Sequence, residues 1–102
     1  MPYTVVFTPE AEAQLLELYG YLAVEASPET AARFTDGIVT YCESLSTFPL
    51  RGTRRDDVRL GLRITSYRKR VVVAFAVDAD QVQIIGIFYG GQNYEAILQD
   101  EN

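Results

Sequence analysis

Eight of the nine basic residues of the 102-residue chain fall between positions 51 and 70. Arg51, Arg54, Arg55, Arg59, Arg63, Arg68, Lys69 and Arg70 are opposed there only by Asp56 and Asp57, a net of +6 between flanks of −6 (residues 1–50) and −5 (residues 71–102). All but one are arginine, whose planar guanidinium grips carboxylate or phosphate bidentately and stacks on aromatic rings. Such a cluster can stabilise the charge of a phosphorane in RNA cleavage, or it can bind an anionic partner. Cleavage through a 2′-hydroxyl also needs a base and an acid. The chain has no histidine, which removes the commonest base at neutral pH, the commonest zinc ligand and every Ser-His or Cys-His pair. Tyr67, Tyr89 and Tyr94 offer hydroxyls, but a phenol is a weak base at neutral pH. The single cysteine, Cys42, can form no internal disulfide and no cysteine metal cluster. No metal and no cofactor is expected.

The elements that must position these cations follow from capping and periodicity. Tyr3, Val5 and Phe7 share one face of a first strand over residues 1–8. Thr8-Pro9 and Ser27-Pro28 are two helix starts, a capping hydroxyl followed by proline at the first helical position. Ala11, Leu15, Leu18 and Leu22 form the apolar stripe of the first helix. Ala31, Phe34, Ile38, Tyr41, Leu45 and Phe48 form that of the second, which Pro49 stops. Residues 9–48 are thus a helical hairpin, with Cys42 beside the second stripe as a core residue. Leu50 to Asp57 is expected as a loop.

Three strands are expected over residues 58–89. Val58 to Thr65 alternates, with Val58, Leu60, Leu62 and Ile64 inward and Arg59 and Arg63 outward. Val71 to Val77 and Val82 to Tyr89 follow, joined by a turn at Asp78-Ala79-Asp80, and none of the three contains a carboxylate. The last two are apolar on both faces: Val71, Val73, Phe75 and Val77 oppose Val72, Ala74 and Ala76, and Ile84 and Phe88 oppose Ile85 and Ile87. One helix layer covers one face, so the other must be covered by the C-terminal tail (90–102), a second copy or another protein. The class is α+β: strand, helix, helix, then three strands, an antiparallel sheet with the hairpin on one face.

A chain of this length and 48% apolar content supports one domain with a real core. Its longest uninterrupted apolar run, Val71 to Val77, is far short of the ~20 residues a membrane helix needs. Met1-Pro2-Tyr3-Thr4 lacks the basic start and apolar stretch of a signal peptide, so the expectation is a cytoplasmic protein that engages no membrane.

The sequence resembles the RelE/ParE superfamily of bacterial toxin–antitoxin toxins, and is closer to ParE. The resemblance is carried by Tyr3, Val5, Phe7, Thr8-Pro9 and Ala11, by Ser27-Pro28 with Ala32 and Phe34, and by Leu45, Phe48-Pro49 and Gly52. Leu62-Arg63 and the strand pair Val71 to Val77 and Val82 to Ile87 complete it, over nearly the whole chain. It implies a small toxin held inactive by a co-expressed ParD-like antitoxin in a hetero-oligomer. ParE-like toxins poison DNA gyrase, whereas RelE-like toxins cleave messenger RNA on the ribosome. A basic residue or histidine is frequent in the superfamily just after the last strand; Phe88-Tyr89-Gly90-Gly91-Gln92-Asn93 has neither.

The missing acid–base set favours a gyrase inhibitor that acts by binding and has no catalytic residues. The alternatives are a ribosome-dependent ribonuclease of RelE type and a diverged, non-toxic antitoxin-binding module. For the target, the candidate residues are Arg63, Arg68, Lys69, Arg70, Tyr89, Gly90, Gly91 and Gln92. For the antitoxin they are Arg51, Arg54, Arg55, Arg59, Ile85 and Ile87, basic residues for an acidic tail and apolar ones for an amphipathic helix or added strand. A net charge of −5 argues against stable binding of free nucleic acid.

Overall fold

The computed structural model describes residues 3–100. The chain runs β1 (Thr4–Phe7), α1 (Pro9–Glu25), α2 (Pro28–Glu43), a 3-10 turn (Ser44–Ser46), β2 (Thr53–Arg54), β3 (Arg63–Tyr67), β4 (Val71–Asp78), β5 (Gln81–Tyr89) and α3 (Tyr94–Asp100). Both helix starts form as the sequence dictates. Thr8 Oγ1 accepts from the Ala11 N–H at 3.2 Å and Ser27 Oγ from the Thr30 N–H at 3.0 Å, with Pro9 and Pro28 at the first helical positions. Among the described residues no helix is long and apolar enough to cross a membrane.

The sheet has the order β1-β5-β4-β3-β2. β3, β4 and β5 are the expected antiparallel meander, but β1 lies parallel to β5 (Thr4 beside Gln81, Phe7 beside Ile84), so the α+β sheet is mixed. α1 and α2 cover one face, where Ala11, Leu18, Ile38, Cys42 and Leu45 meet Val71, Val73, Phe75, Val82, Ile84 and Ile87. The opposite face is covered from within the chain. Leu98 of α3, with Val58 and Leu62, packs on Ala74 and Phe88. The C-terminal segment is therefore partly helical and does the covering that one helix layer could not.

Four sequence expectations are corrected. Residues 58–62 are not strand: β3 begins only at Arg63, and Leu60, expected inward, is 89% exposed while Val58 and Leu62 are buried. Tight turns win locally, with the Val58 and Arg59 N–H groups donating to the Arg55 carbonyl, the Gly61 N–H to Asp56 Oδ1 at 2.8 Å, and Gly61 at φ 83°. Within the expected loop, Thr53–Arg54 instead pairs with Ile64 and Arg63 as an edge strand. Phe48 is 64% exposed, because α2 ends at Glu43 and the 3-10 turn rotates the chain off the stripe. In β5 the faces change phase: Ala74 pairs with Gly86 and Phe75 with Ile84, leaving Ile85 as an extra, bulged residue. Ile84 and Ile87 consequently face the helices, and Ile85 and Phe88 the α3 side.

Candidate partner-binding site

The β3–β4 connection carries three adjacent cations on an unusual backbone. The Arg70 N–H donates to the Tyr67 carbonyl at 3.1 Å, and the two residues between, Arg68 and Lys69, have φ of 52° and 58°. A pair of left-handed residues belongs to the type I′ family, which Asn-Gly fills without strain; each β-carbon placed there costs about 1 kcal/mol or more. Arg68, Lys69 and Arg70 are exposed, and none is in an ion pair among the described residues. The Arg68 guanidinium lies 5.5 Å from the centre of the Tyr67 ring, a cation–π contact that holds the charge in place without neutralising it.

Tyr67 belongs to a row of rings across the ends of β3 and β5. Successive centres are 6.1 Å apart from Tyr21 to Tyr89, 6.0 Å from Tyr89 to Phe34, 5.7 Å from Phe34 to Tyr67 and 5.6 Å from Tyr67 to Tyr41. The sheet register sets the spacing, since Tyr67 and Tyr89 both pair with Val71 from its two sides. Two depressions lie along this row of rings, one at Phe34 and Tyr67 and one at Tyr21 and Tyr89. One, of about 180 Å³, is lined by Thr30, Arg33, Phe34, Tyr67 and Arg68. The other, of about 260 Å³, is lined by Gln14, Glu17, Leu18, Tyr21, Ile87, Tyr89 and Gln92. There β1 has stopped pairing with β5, and side chains complete its edge: Gln14 Oε1 accepts from the Ile87 N–H at 2.6 Å and Gln92 Oε1 from the Tyr89 N–H at 3.0 Å.

The remaining arginines of the basic block are occupied inside the chain. Arg51 donates to the Ser44 carbonyl (3.2 Å) and hydroxyl (3.1 Å) and lies over the Tyr41 and Phe48 rings. Arg54 pairs with Asp56 at 2.8 Å. Arg55 is a hub, bidentate to Asp57, paired with Glu95 and donating to the Tyr94 hydroxyl at 2.6 Å. These contacts raise the Arg55 pKa and hold the Asp57 carboxyl below its ordinary range; Asp56 is lowered too, chiefly by the Gly61 N–H and then by Arg54. Arg59 donates to the Leu98 carbonyl at 2.9 Å, at the end of α3 where the helix dipole favours a cation. Arg63 donates to the Leu50 and Arg51 carbonyls at 3.3 and 3.4 Å.

Of the residues expected to meet the target, Arg68, Lys69, Arg70, Tyr89, Gly90, Gly91 and Gln92 come together: the Gly90 N–H donates to the Arg70 carbonyl at 2.9 Å. Arg63 sits at the far end of β3. Of those expected to meet the antitoxin, Arg51, Arg54, Arg55 and Arg59 brace the 50–62 loop and α3. Ile85 and Ile87 do not form one surface, because the bulge sends them to opposite faces and Ile87 is 3% exposed.

Sequence reasoning assigned Arg33, Phe34, Tyr21 and Gln14 no part in a site. A signal for the first two was present in Gly37, a glycine inside α2, which lets the Tyr67 hydroxyl approach the helix. Cys42 is buried, and its thiol is pushed up to about 12, chiefly by burial and then by Glu43, so it is packing and no nucleophile. No group of three His, Cys, Asp or Glu among the described residues could hold a metal. Among the described residues the notch at Phe34 is lined by Thr30, Arg33, Phe34, Tyr67 and Arg68, so the groups it presents are two guanidiniums, two aromatic rings and a hydroxyl.

Comparison with known proteins places the chain. No curated protein sequence matches it. Among solved structures it is similar to the chromosomal ParDE TA system from P. aeruginosa, at 24% identity and a TM-score of 0.76, covering 86% of this chain and 96% of that one. It is also similar to the RelBE2 toxin–antitoxin complex from Mycobacterium tuberculosis, at 24% identity and a TM-score of 0.62, covering 87% and 99%. Both likenesses establish the fold. Residues 5–94 match the family described as ParE toxin of type II toxin-antitoxin system, parDE, and the chain belongs to that family.

Proposed function

We propose that this ParE-family chain inhibits DNA gyrase by binding it, without a catalytic step of its own, and that a ParD-like antitoxin holds it inactive in a hetero-oligomer. The observation that carries the reading is the exposed cluster Arg68-Lys69-Arg70, without an ion pair among the described residues, beside Tyr89, Gly90 and Gln92. Cations and rings converge there with no histidine in the chain and no carboxylate in the adjoining notch to move a proton. The likeness to a ParDE system supports the antitoxin partner. The likeness to a RelBE2 complex favours a second reading, ribosome-dependent cleavage of messenger RNA.

A supercoiling assay with purified protein and gyrase separates the two. The expected result is inhibition with accumulation of cleaved gyrase–DNA complex, together with intact messenger RNA after induction in cells. Unimpeded supercoiling at micromolar protein overturns the gyrase reading, and fragmented messenger RNA favours the second. Unimpaired growth on induction without antitoxin would instead indicate a non-toxic binding module.

A further inference from the structure

We propose that the notch between α2 and the β3–β4 turn, where Arg33 and Arg68 flank Phe34 and Tyr67, is a binding site for an acidic segment of a protein partner. The proposal deepens the binding reading above by naming the partner's chemistry and the residues that receive it.

Arg33 is the only cation among residues 1–50, yet the fold brings it to the same notch as Arg68. Both are exposed, and neither is in an ion pair among the described residues, although Glu29 and Asp36 lie one turn away from Arg33 on α2. By contrast, Arg54 and Arg55 of the basic block are paired with carboxylates of the chain itself. The floor is aromatic: Phe34 and Tyr67 meet edge to face at 69°, and Arg68 is already stacked on Tyr67. Two guanidinium groups beside rings suit a carboxylate gripped bidentately, with the aliphatic part of the incoming residue laid on the aromatic floor.

The backbone adds an independent argument. Arg68 and Lys69 occupy left-handed positions that Asn-Gly would fill without strain. Ala79 shares such a φ, 52°, at the other end of β4, so strain alone marks no site. At the β3–β4 turn it coincides with uncompensated charge, which makes the position costly in two ways without a partner.

A protein is favoured over nucleic acid by the surroundings. Glu29 and Asp36 flank Arg33, and Glu17 lines the neighbouring groove, so negative charge is tolerated only inside the notch: a segment with one or two carboxylates set among apolar residues meets that limit, whereas a continuous phosphate backbone, charged at every step, does not. The notch, at about 180 Å³, accommodates one or two side chains.

The test uses the full chain and three labelled probes in fluorescence anisotropy: a short peptide alternating glutamate and leucine, its glutamine counterpart, and single-stranded oligouridine of equal length. The acidic peptide should bind, the glutamine peptide should bind about 10-fold more weakly or not at all, and R33Q and R68Q should each weaken the acidic peptide about 10-fold. R33K and R68K should fall between, because the planar fork is lost while the charge stays. Arg68→Asn combined with Lys69→Gly should weaken binding while raising Tm by about 5 °C. Absence of acidic-peptide binding, affinity indifferent to R33Q and R68Q, or tighter and equally Arg33-dependent binding of oligouridine would each overturn the proposal. Neither gyrase nor DNA enters the measurement, so its outcome is separate from that of the supercoiling assay.

Discussion

The Tyr67 hydroxyl rests against α2 at Gly37, so closely that a β-carbon built at Gly37 would lie 2.1 Å from Tyr67 Oη and 3.2 Å from Cζ. That contact joins the helix carrying Arg33 and Phe34 to the strand leading into Arg68. The ring cannot simply swing away, being held between Phe34 and Tyr41.

Gly37→Ala therefore sets two effects against each other. Alanine is the better helix former by about 1 kcal/mol, but overpacking against a fixed ring costs about 1–3 kcal/mol, and net destabilisation is expected in urea unfolding. Adding Tyr67→Phe removes the nearest atom and should recover most of the loss, a coupling that a double-mutant cycle measures. Equal losses in G37A with and without Tyr67→Phe would show that the hydroxyl contact is not what fixes the helix against β3.

The cover over the second sheet face should loosen in acid. The Asp56 and Asp57 pKa values are lowered in the folded chain, by the Gly61 N–H and by Arg55 respectively. The stability they contribute is present above the ordinary carboxyl pKa of about 4 and is lost as pH falls through their lower folded values. Hydrogen exchange should show earlier opening of residues 55–62 and α3 than of β4 below about pH 4. The apolar half of the latch is Leu98, 1% exposed; Leu98→Ala should cost about 2–3 kcal/mol, the low end for a buried leucine because a terminal helix can undock.

Cys42 should be silent to thiol reagents in the native state and react only on unfolding. Its pKa is raised from 9.0 to about 12, so the corresponding stability is fully present below about 9 and is lost as pH rises from there through the folded value. Cys42→Ser places a hydroxyl at a fully buried position and should destabilise by about 1–3 kcal/mol. Rapid native-state labelling at neutral pH would contradict the assignment of Cys42 to the core.

The parts of the fold legible in the sequence were those decided within a few residues. Thr8-Pro9 and Ser27-Pro28 fix both helix starts, and the alternation of Val71, Val73 and Phe75 fixes the inner face of β4. The bulge at Ile85 is a choice of register between two strands, invisible in either alone. The alternation of Val58, Leu60, Leu62 and Ile64 imitates a strand, but Asp56 captures the Gly61 N–H and turns the segment. At the site, Arg68-Lys69-Arg70 is readable as adjacent charge. That Arg33 joins them, and that Arg55 and Arg59 are spent on α3, depends on tertiary placement across 35 or more residues.

In the proposed function the exposed cations of the β3–β4 turn engage gyrase. The most direct measurement is a titration of the triple variant R68Q/K69Q/R70Q against the unaltered chain in the supercoiling assay, with Ala79→Gly, at the opposite end of β4, as a control for backbone strain. The unaltered chain and Ala79→Gly should inhibit alike, and the triple variant should need about 10-fold more protein or more for the same inhibition. Equal potency of the triple variant, at unchanged Tm, would contradict the account.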